Sequence, residues 1–526
     1  MTQVDPLAPR RTATRLPPAA RPPRTVPGFL AWRAALQPDH VAFEVSGGPT
    51  LTLAEWDAGA SRVAAALRAR GVRAGDRVAL VFAAADWPWF AIAYCGVQRA
   101  GGVAVPLSDR LPAVQIGYAL EQCAAVAVLH GGDTAPAGVP ATAWTAPVPS
   151  LTAPSTDLEG AAEIRPGDLA QILYTSGTTG RPKGVTATHA NLSMPAPVHP
   201  RRLRLAHSAR FAHAFPIGTN AAQTMLFHAL YARPGAVSLA RVTPARFARL
   251  IETPGVGTVF LVPSVAIELL DSGALDGRDT SGIHLVGSTA APLAPAIAMR
   301  LSRAFPHAAI VNYYTSTEAA PSEVSMVFDP ARPDAIGRPA DGTLMIADGD
   351  GNPLPAGTTG EVWLRSPHPR AYYADPDASA AAFRGEWVRM GDLGRLDAGG
   401  YLHLAGRGED VVKTGAFKVS TVEVEAALHE HPHVAEVAVL GVPHNVLGCV
   451  LGAVVVPSPA APAGEPTLPA VRRFLATRLA DYQIPAHLAV RDSLPRNAGG
   501  KVLKRQLAGV FPGVTASGGQ GSEGAP

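Results

Sequence analysis

The chain has 526 residues, of which 47% are hydrophobic and 17% charged, and this composition excludes a wholly disordered chain, a coiled coil and a collagen-like fibre. Its 45 basic and 42 acidic residues leave a net charge of +3, which gives no strong electrostatic case for nucleic acid or an anionic membrane as the main partner. The three cysteines lie far apart without a CxxC pair, which argues against a disulfide scaffold, a structural zinc site and an iron–sulfur cluster and predicts a cytoplasmic location.

Both ends of the chain are predicted to be disordered tails. Residues 1–27 are rich in Pro and Arg, and residues 509–526 are rich in Gly and Ser. The most hydrophobic stretch, 78–97, is long enough to span a bilayer. Because Asp86 and Pro88 interrupt it, we predict a buried strand, a turn and a buried helix there, and no transmembrane segment.

The sequence then alternates between helical and extended patterns. Residues 52–71 have the apolar spacing of a helix that ends at Gly71, a plausible C-cap. Short apolar runs typical of buried parallel strands occur at 76–82, 102–107, 125–130, 258–264, 283–288 and 309–314. This alternation predicts an α/β body.

The pattern changes at about Thr343. Residues 344–366 predict hairpin strands with Gly and Pro turns. Beyond Gly406 the sequence predicts a small α+β unit, with a helix at 421–430 and strands at 434–442 and 449–457. The histidines of the following turn, in the segment HEHPH, are expected on the surface and not as metal ligands.

A loop dense in Gly, Ser and Thr reads YTSGTTGRPKGV over residues 174–185. Its unhindered N–H groups and hydroxyls suit an anion, and Lys183 adds a mobile positive charge. It is not a Walker A loop, because Pro182 stands where that motif needs Gly. A plain turn between strands is the alternative interpretation. The predicted phosphate-binding residues are Thr175, Ser176, Gly177, Thr178, Thr179, Gly180 and Lys183.

This loop closely resembles the phosphate-loop signature of the adenylate-forming superfamily, which includes acyl- and aryl-CoA ligases, peptide-synthetase adenylation domains and firefly luciferase. Further segments similar to the family's motifs follow in order, as NYYTSTEA, RMGDL, GRGED and PRNAGGK. The resemblance implies an α/β fold with a large multi-subdomain N-terminal domain, 28–408, that has parallel-rich sheets and a small β-barrel-like part. It also implies a small mobile α+β C-terminal domain, 409–508.

The resemblance implies roles for the nucleotide-binding residues. Tyr314 corresponds to the aromatic residue that stacks on adenine, and Thr317 and Glu318 correspond to the pair that serves ATP phosphate and Mg²⁺. Hydroxyl and carboxylate oxygens are ligands that Mg²⁺ prefers. Asp392 is expected to accept both ribose hydroxyls, as a carboxylate can. The implied nucleotide-binding set also includes Ala291 and Arg407, the latter on ribose or phosphate.

A second group of residues is implied to serve the two half-reactions. Lys501 corresponds to the catalytic lysine of adenylate formation, where a mobile cation stabilises developing charge. Glu409 is the implied hinge of the small domain. Lys413, also implied to be catalytic, and Gly415 would lie beside the thiol channel. Only five lysines occur among the 45 basic residues, and three of them fall on functional positions of the family.

The segment FAHAFPIGT occupies the place of the family's acyl pocket, through His213, Ala214 and Phe215. No acidic residue lies between 206 and 226 to pair with an α-ammonium group, which disfavours an amino acid substrate. His213 is aligned with a gating aromatic residue, and a core histidine is the open alternative. Ala290 and Thr315 replace glycines of the family and favour a compact acid over a long straight chain.

These segments together predict an ATP-dependent ligase. A carboxylic acid would attack the α-phosphate of ATP·Mg²⁺ to give acyl-AMP, and the thiol of coenzyme A would then attack the acyl carbonyl. One alternative is transfer to a carrier-protein thiol or to an amine in secondary metabolism. Another is a pseudoenzyme that binds nucleotide and acts as an interaction module.

Overall fold

The computed structural model describes residues 23–151, 163–175, 182–193, 205–291, 293–366, 368–407, 411–414, 417–444, 447–497 and 500–511. Its helices are α1 Val26–Leu36, α2 Leu53–Ala69, α3 Trp87–Arg99, α4 Ala113–Gln122, α5 His189–Leu192, α6 Asn220–Tyr231, α7 Pro244–Ile251, α8 Pro263–Asp271, α9 Pro295–Ala304, α10 Pro376–Ala382, α11 Thr421–Leu428 and α12 Leu468–Leu475.

The strands before residue 330 are β1 Val41–Val45, β2 Thr50–Thr52, β3 Arg77–Phe82, β4 Val103–Ser108, β5 Ala127–His130, β6 Trp144–Pro147, β7 Leu169–Thr175, β8 Lys183–Thr188, β9 Arg210–His213, β10 Gly235–Ser238, β11 Val256–Leu261, β12 Leu285–Ser288, β13 Ala309–Tyr314 and β14 Val324–Val327. The later strands are β15 Leu344–Ala347, β16 Gly360–Arg365, β17 Phe383–Arg384, β18 Trp387–Leu396, β19 Leu402–Arg407, β20 Val411–Thr414, β21 Phe417–Ser420, β22 Val434–His444, β23 Gly448–Pro457 and β24 His487–Val490.

Two parallel-rich sheets build the α/β body. Sheet 1 has the strand order β14-β13-β12-β11-β9-β10-β1-β2 and is parallel except at its two edge strands. Sheet 2 has the order β6-β5-β3-β4-β7-β8 and is parallel except for the pair β7–β8. One core containing residues of α2, α3 and α6 lies between the sheets. Helices α7 to α9 cover the outer face of sheet 1, and α4 covers that of sheet 2. The body is therefore layered αβαβα.

The apolar stretch at 78–97 folds as predicted. It contributes β3, a short 3-10 turn at Ala84–Asp86 and α3. No helix in the described ranges is both long and apolar enough to cross a bilayer. The predicted helix at 52–71 is α2, with Arg70 at the C-cap and Gly71 following at φ +85°.

Two further sheets follow the α/β body. Sheet 3 is antiparallel, with the order β15-β16-β18-β17 and with β19 paired to β18, in the region where hairpins were predicted. Sheet 4 has the order β21-β20-β23-β22, with β24 parallel to β23. Helices α11 and α12 pack on one face of sheet 4, which forms the predicted small α+β unit.

Candidate active site

The carboxyl edge of sheet 1 carries several of the predicted site segments. In the parallel part of this sheet, His213 of β9 pairs with Phe260 of β11, and Ser288 of β12 pairs with Asn312 of β13. The segments that follow these strands therefore leave the sheet at the same edge. In open parallel sheets ligands bind outside the carboxyl ends of the strands. The fold thus brings the segments after β9, β12 and β13 to one candidate site.

Sheet 3 completes this site through a tyrosine–aspartate contact. The hydroxyl of Tyr314, at the end of β13, donates a hydrogen bond of 2.7 Å to Oδ2 of Asp392. Asp392 lies on β18, where it pairs with Arg407 of β19. The structure therefore brings together the residues expected at adenine and ribose, although it does not describe the Arg407 side chain.

The predicted phosphate and magnesium residues meet around a tyrosine that sequence analysis missed. Thr175 and Lys183 are paired residues at the ends of β7 and β8, so the predicted loop connects them. Nζ of Lys183 lies 5.0 Å from the ring centroid of Tyr372. The hydroxyl of Tyr372 donates a hydrogen bond of 2.9 Å to Oε1 of Glu318. A cation and a carboxylate thus contact the same aromatic side chain.

A buried arginine, Arg370, contacts Thr317, the residue that precedes Glu318 in the predicted magnesium-binding pair. Arg370 is 8% exposed, and its NH1 donates a hydrogen bond of 2.9 Å to the carbonyl oxygen of Thr317. Burial lowers the pKa of Arg370 to about 10, and the nearby Glu318 opposes this shift. Within the described residues its Nε has no hydrogen-bond partner. Arg370 was also missed, since nothing in the local sequence marks an arginine there as buried.

The loop that carries Lys501 is a tight turn held by its own side chains. The backbone N–H of Lys501 donates to Oδ1 of Asn497 at 2.9 Å, so the Asn that replaces the family's Thr acts as an acceptor. NH1 of Arg496 donates to the carbonyl oxygen of Gly500 at 2.7 Å, and Arg496 forms an ion pair with Glu436 of β22. These contacts fix the backbone on both sides of the turn.

The same loop lies against the beginning of α8 in the large domain. A Cβ built on Gly500, whose φ is +83°, would lie 3.4 Å from Val262 and 3.5 Å from Ser264. Burial and the nearby Glu436 raise the pKa of Glu268 on α8, while Arg496 lowers it. The two domains therefore meet at the Lys501 loop.

His213 is a core residue in this structure. It is fully buried, and its ring packs edge-on against Trp87 with a centroid separation of 4.9 Å. Burial lowers the pKa of His213 to about 3, so the imidazole is neutral. Its Nε2 has no hydrogen-bond partner among the residues that the structure describes. His213, Ala214 and Phe215 nevertheless line one pocket, together with Trp87 and Arg110.

Ala290 and Thr315 do not line that pocket. Ala290 has φ +74°, in the left-handed region that favours glycine, and Ala291 follows it. The Thr315 hydroxyl donates a hydrogen bond of 2.7 Å to the carbonyl oxygen of Ser322, so its side chain is held within its own turn. The predicted acyl-pocket residues therefore form two groups in this conformation.

Some predicted site residues are not described by the structure. Those outside the described residues are Ser176, Gly177, Thr178, Thr179, Gly180, Glu409 and Gly415. Lys413 is paired with Lys418 in the β20–β21 ladder, without a description of its side chain. The roles proposed for these residues rest on their motifs.

The HEHPH turn departs from the surface prediction, because His429 and His433 are half-buried and His431 is buried. His431 is 6% exposed and its ring lies 4.8 Å from that of Phe474 on α12, because the turn folds back onto the small domain's core. Across the described ranges no group of three or more His, Cys, Asp or Glu residues is arranged to hold a metal ion.

Comparisons with known proteins agree with these features. A family described as AMP-binding enzyme matches residues 30–373, and the AMP-binding enzyme C-terminal domain matches residues 423–501. The feruloyl-CoA synthase of an Amycolatopsis species is 32% identical over 501 residues, with 92% of this chain and 99% of that protein covered.

Solved structures show the same fold. ATP-bound MatB from Rhodopseudomonas palustris has a TM-score of 0.82 and 29% identity, covering 93% of this chain and 98% of that one. A benzoate CoA ligase from Burkholderia xenovorans LB400 has a TM-score of 0.80 and 27% identity, covering 92% and 99%.

Proposed function

The chain belongs to the AMP-binding enzyme family of adenylate-forming ligases, and we propose that it activates a compact carboxylic acid, either aryl or short- to medium-chain acyl. It is an acyl-CoA synthetase of the AMP-forming type, which uses ATP, Mg²⁺ and coenzyme A. The assignment of this activity to particular residues of the chain rests on the hydrogen bond between Tyr314 and Asp392. It is supported by the contacts of Lys183 and Glu318 with Tyr372.

In the first half-reaction, the substrate carboxylate oxygen attacks the α-phosphorus of ATP. The bond to the bridging oxygen breaks, and pyrophosphate leaves with its electron pair. Tyr314 and Asp392 hold the adenosine, and Lys183 with its loop holds the phosphates. Such a transfer depends on positioning and charge stabilisation. Lys501 supplies a positive charge beside the reacting carboxylate.

The carboxylate of Glu318 and the hydroxyl of Thr317 are the residues that would hold a magnesium ion, because one is an anionic and the other a neutral oxygen ligand. When bound, Mg²⁺ neutralises charge on the phosphates. The Tyr372 hydroxyl donates to Oε1 of Glu318, and this contact leaves the other carboxylate oxygen for a metal that the carboxylate would hold.

In the second half-reaction, the small domain turns about Glu409 and withdraws Lys501. Lys413 and Gly415 then line the path of the coenzyme A thiol. The thiol loses its proton to solvent, the sulfur attacks the acyl carbonyl carbon, the bond from that carbon to the AMP oxygen breaks, and AMP leaves with the electron pair. The docking of the Lys501 loop on α8 supports the adenylation arrangement as the one seen in this structure.

A compact substrate is supported by two features. The pocket lined by His213, Ala214 and Phe215 is small, and aromatic residues surround it. The segment between 206 and 226 contributes no acidic residue to this pocket, whose acidic lining residue is Asp109, next to Arg110. The feruloyl and benzoate specificities in the names of the relatives point the same way.

The alternative acceptor to coenzyme A within this fold is a carrier-protein thiol or an amine. The buried, unbridged Cys95 and Cys123 support a reducing compartment, and we propose the cytoplasm.

ATP–pyrophosphate exchange with a panel of acids tests the proposed function. We expect exchange that depends on one class of compact acid and on Mg²⁺, followed by thioester formation when coenzyme A is added. Nucleotide binding without exchange for any acid would favour the pseudoenzyme. If pyrophosphate exchange occurs but the acyl product forms without coenzyme A, the result would favour the alternative acceptors.

We propose that a bound acyl group extends from the pocket of His213 towards Ala290 and Thr315, so that the replacement of two glycines limits substrate length. An extra methyl in a packed wall costs about 1–3 kcal/mol for a ligand that needs the space, which is about a tenfold to hundredfold preference. We expect acids longer than about ten carbons to be activated poorly, and the double variant Ala290→Gly, Thr315→Gly to accept longer chains. Pyrophosphate exchange rates for acids of increasing length show how activation depends on chain length in the wild type and in the double variant.

The control for that prediction is Thr315→Ser, which keeps the hydroxyl that bonds Ser322 and removes only the methyl group. Ala290→Gly is expected to raise stability by about 1 kcal/mol, because glycine adopts a φ of +74° without steric cost. If the wild type prefers palmitate, or the length profiles coincide, Ala290 and Thr315 do not set the chain length.

A further inference from the structure

We propose that Tyr372 is a positioning residue that holds the phosphate-binding Lys183 and the magnesium-binding Glu318 apart and oriented before ATP·Mg²⁺ enters. The inference rests on the roles proposed above for those two residues. Neither the sequence motifs nor the comparisons assign a function to Tyr372.

The first observation is that the two charges use different parts of one side chain. The Tyr372 hydroxyl donates 2.9 Å to Oε1 of Glu318, and Nζ of Lys183 lies 5.0 Å from the centre of the ring. A hydrogen bond to a carboxylate is stronger than a neutral one, and a cation over a ring face is attracted by its quadrupole. Each contact therefore restricts one long, rotatable side chain.

The second observation is that Lys183 and Glu318 do not form an ion pair with each other in the part of the chain that the structure describes. A direct pair between them would neutralise both groups and would have to break when the ligand arrives. Tyr372 offers each charge a partner of its own. The lysine stays available to phosphate, and the carboxylate keeps its second oxygen for the metal.

The third observation is that the backbone of Tyr372 is firmly anchored. On one side the carbonyl oxygen of Ala371 accepts from the N–H and the hydroxyl of Thr186 on β8, both at 2.8 Å. On the other side the N–H of Tyr373 donates to the carbonyl oxygen of Gly184 at 2.7 Å. The segment is therefore fixed to the strand that begins with Lys183.

A further contact fixes this segment to the other half of the site. Arg370, two residues before Tyr372, donates to the carbonyl oxygen of Thr317 at 2.9 Å. The short segment from Arg370 to Tyr373 thus connects the phosphate-loop strand with the Thr317–Glu318 turn.

The test compares Tyr372→Phe, which keeps the ring, with Tyr372→Leu, which removes both contacts. We expect Tyr372→Phe to raise the Mg²⁺ concentration for half-maximal pyrophosphate exchange about tenfold, the value of one hydrogen bond to a charged group, with little change in the KM for ATP. Tyr372→Leu is expected to raise the KM for ATP as well, because Lys183 then loses the ring.

Tyr373→Phe is the matched control. It removes the same atom in the same segment, from a ring that packs on the core of sheet 2, and it should leave the Mg²⁺ requirement unchanged. In a Glu318→Gln background, Tyr372→Phe should add no further change to the Mg²⁺ requirement, because the two residues act through one contact. Thermal unfolding of each variant identifies any loss of folding.

Calorimetric titration with ATP and Mg²⁺ separates this inference from the proposed function, because it measures binding without turnover. An enzyme that exchanges no pyrophosphate with any acid contradicts the proposed function, while the calorimetric comparison still tests Tyr372. An unchanged or lower Mg²⁺ requirement in Tyr372→Phe overturns the inference. So does an additive effect of Tyr372→Phe and Glu318→Gln.

Discussion

Lys501→Ala is expected to slow acyl-adenylate formation by about 10²- to 10³-fold, the usual cost of losing one group that stabilises transition-state charge. Thioester formation from acyl-AMP supplied in advance should survive largely intact. The reason is the proposed role of Lys501, which is to act in the conformation where its loop lies on α8, with Gly500 close to Val262 and Ser264. Pyrophosphate exchange measures the first half-reaction, and coenzyme A-dependent consumption of acyl-AMP measures the second.

Lys504→Ala is the control for this experiment. Lys504 lies three residues away, and its Nζ contacts the Thr421 hydroxyl at 2.9 Å and the Glu425 carboxylate at 2.8 Å within the small domain. Its loss should lower the stability of that domain without separating the two half-reactions. Equal losses in both half-reactions for Lys501→Ala would contradict the account of two conformations.

Six strands of the α/β body, namely β3, β4, β5, β11, β12 and β13, could be predicted because each coincides with a short apolar run. All residues of β4, β5 and β11 are buried, as their continuous hydrophobic patterns indicated. The order of the strands could not be predicted. In sheet 1, β9 and β10 lie between β11 and β1, and this order depends on contacts between segments far apart in the sequence.

The residues of the candidate site also divide into those that could be predicted from the sequence and those that could not. Its motif residues, such as Asp392 and Tyr314, were predicted from the resemblance of the segments RMGDL and NYYTSTEA to family motifs. Tyr372, Arg370 and Arg496 were missed because they make tertiary contacts, with Glu318, Thr317 and Glu436 respectively. The one available signal was an arginine and two tyrosines together in the segment RAYY, between predicted strands.

His213 illustrates why the acyl pocket was harder to predict. Its alignment with a gating residue and its interpretation as a core histidine were both consistent with the sequence. The structure places it fully buried beside Trp87, more than one hundred positions away in the sequence. Whether the His213 side chain belongs to the core or to the pocket lining depends on how β9 packs against α3. In this structure His213 contributes to both.

Asp392→Ala is expected to weaken ATP binding by about two orders of magnitude or more. The proposed role gives Asp392 two hydrogen bonds to ribose hydroxyls, and each bond to a charged group contributes about 1.5–3 kcal/mol. Tyr314→Phe is expected to weaken binding about fivefold, because it keeps the ring for adenine and removes only the 2.7 Å hydrogen bond that orients the carboxylate.

The nucleotide itself provides the decisive comparison. Because 2′-deoxy-ATP lacks one of the two hydroxyls, the wild type should bind it about tenfold more weakly than ATP, while Asp392→Ala should bind the two nucleotides almost equally. Tyr314→Phe should keep part of the discrimination, since the carboxylate remains but is less well oriented. Calorimetric titration of the wild type and each variant with both nucleotides gives the binding free energies that this comparison needs. An Asp392→Ala variant that still distinguishes ATP from 2′-deoxy-ATP would assign the ribose contact to another residue, and the Tyr314–Asp392 pair would then be a link between sheet 1 and sheet 3 alone.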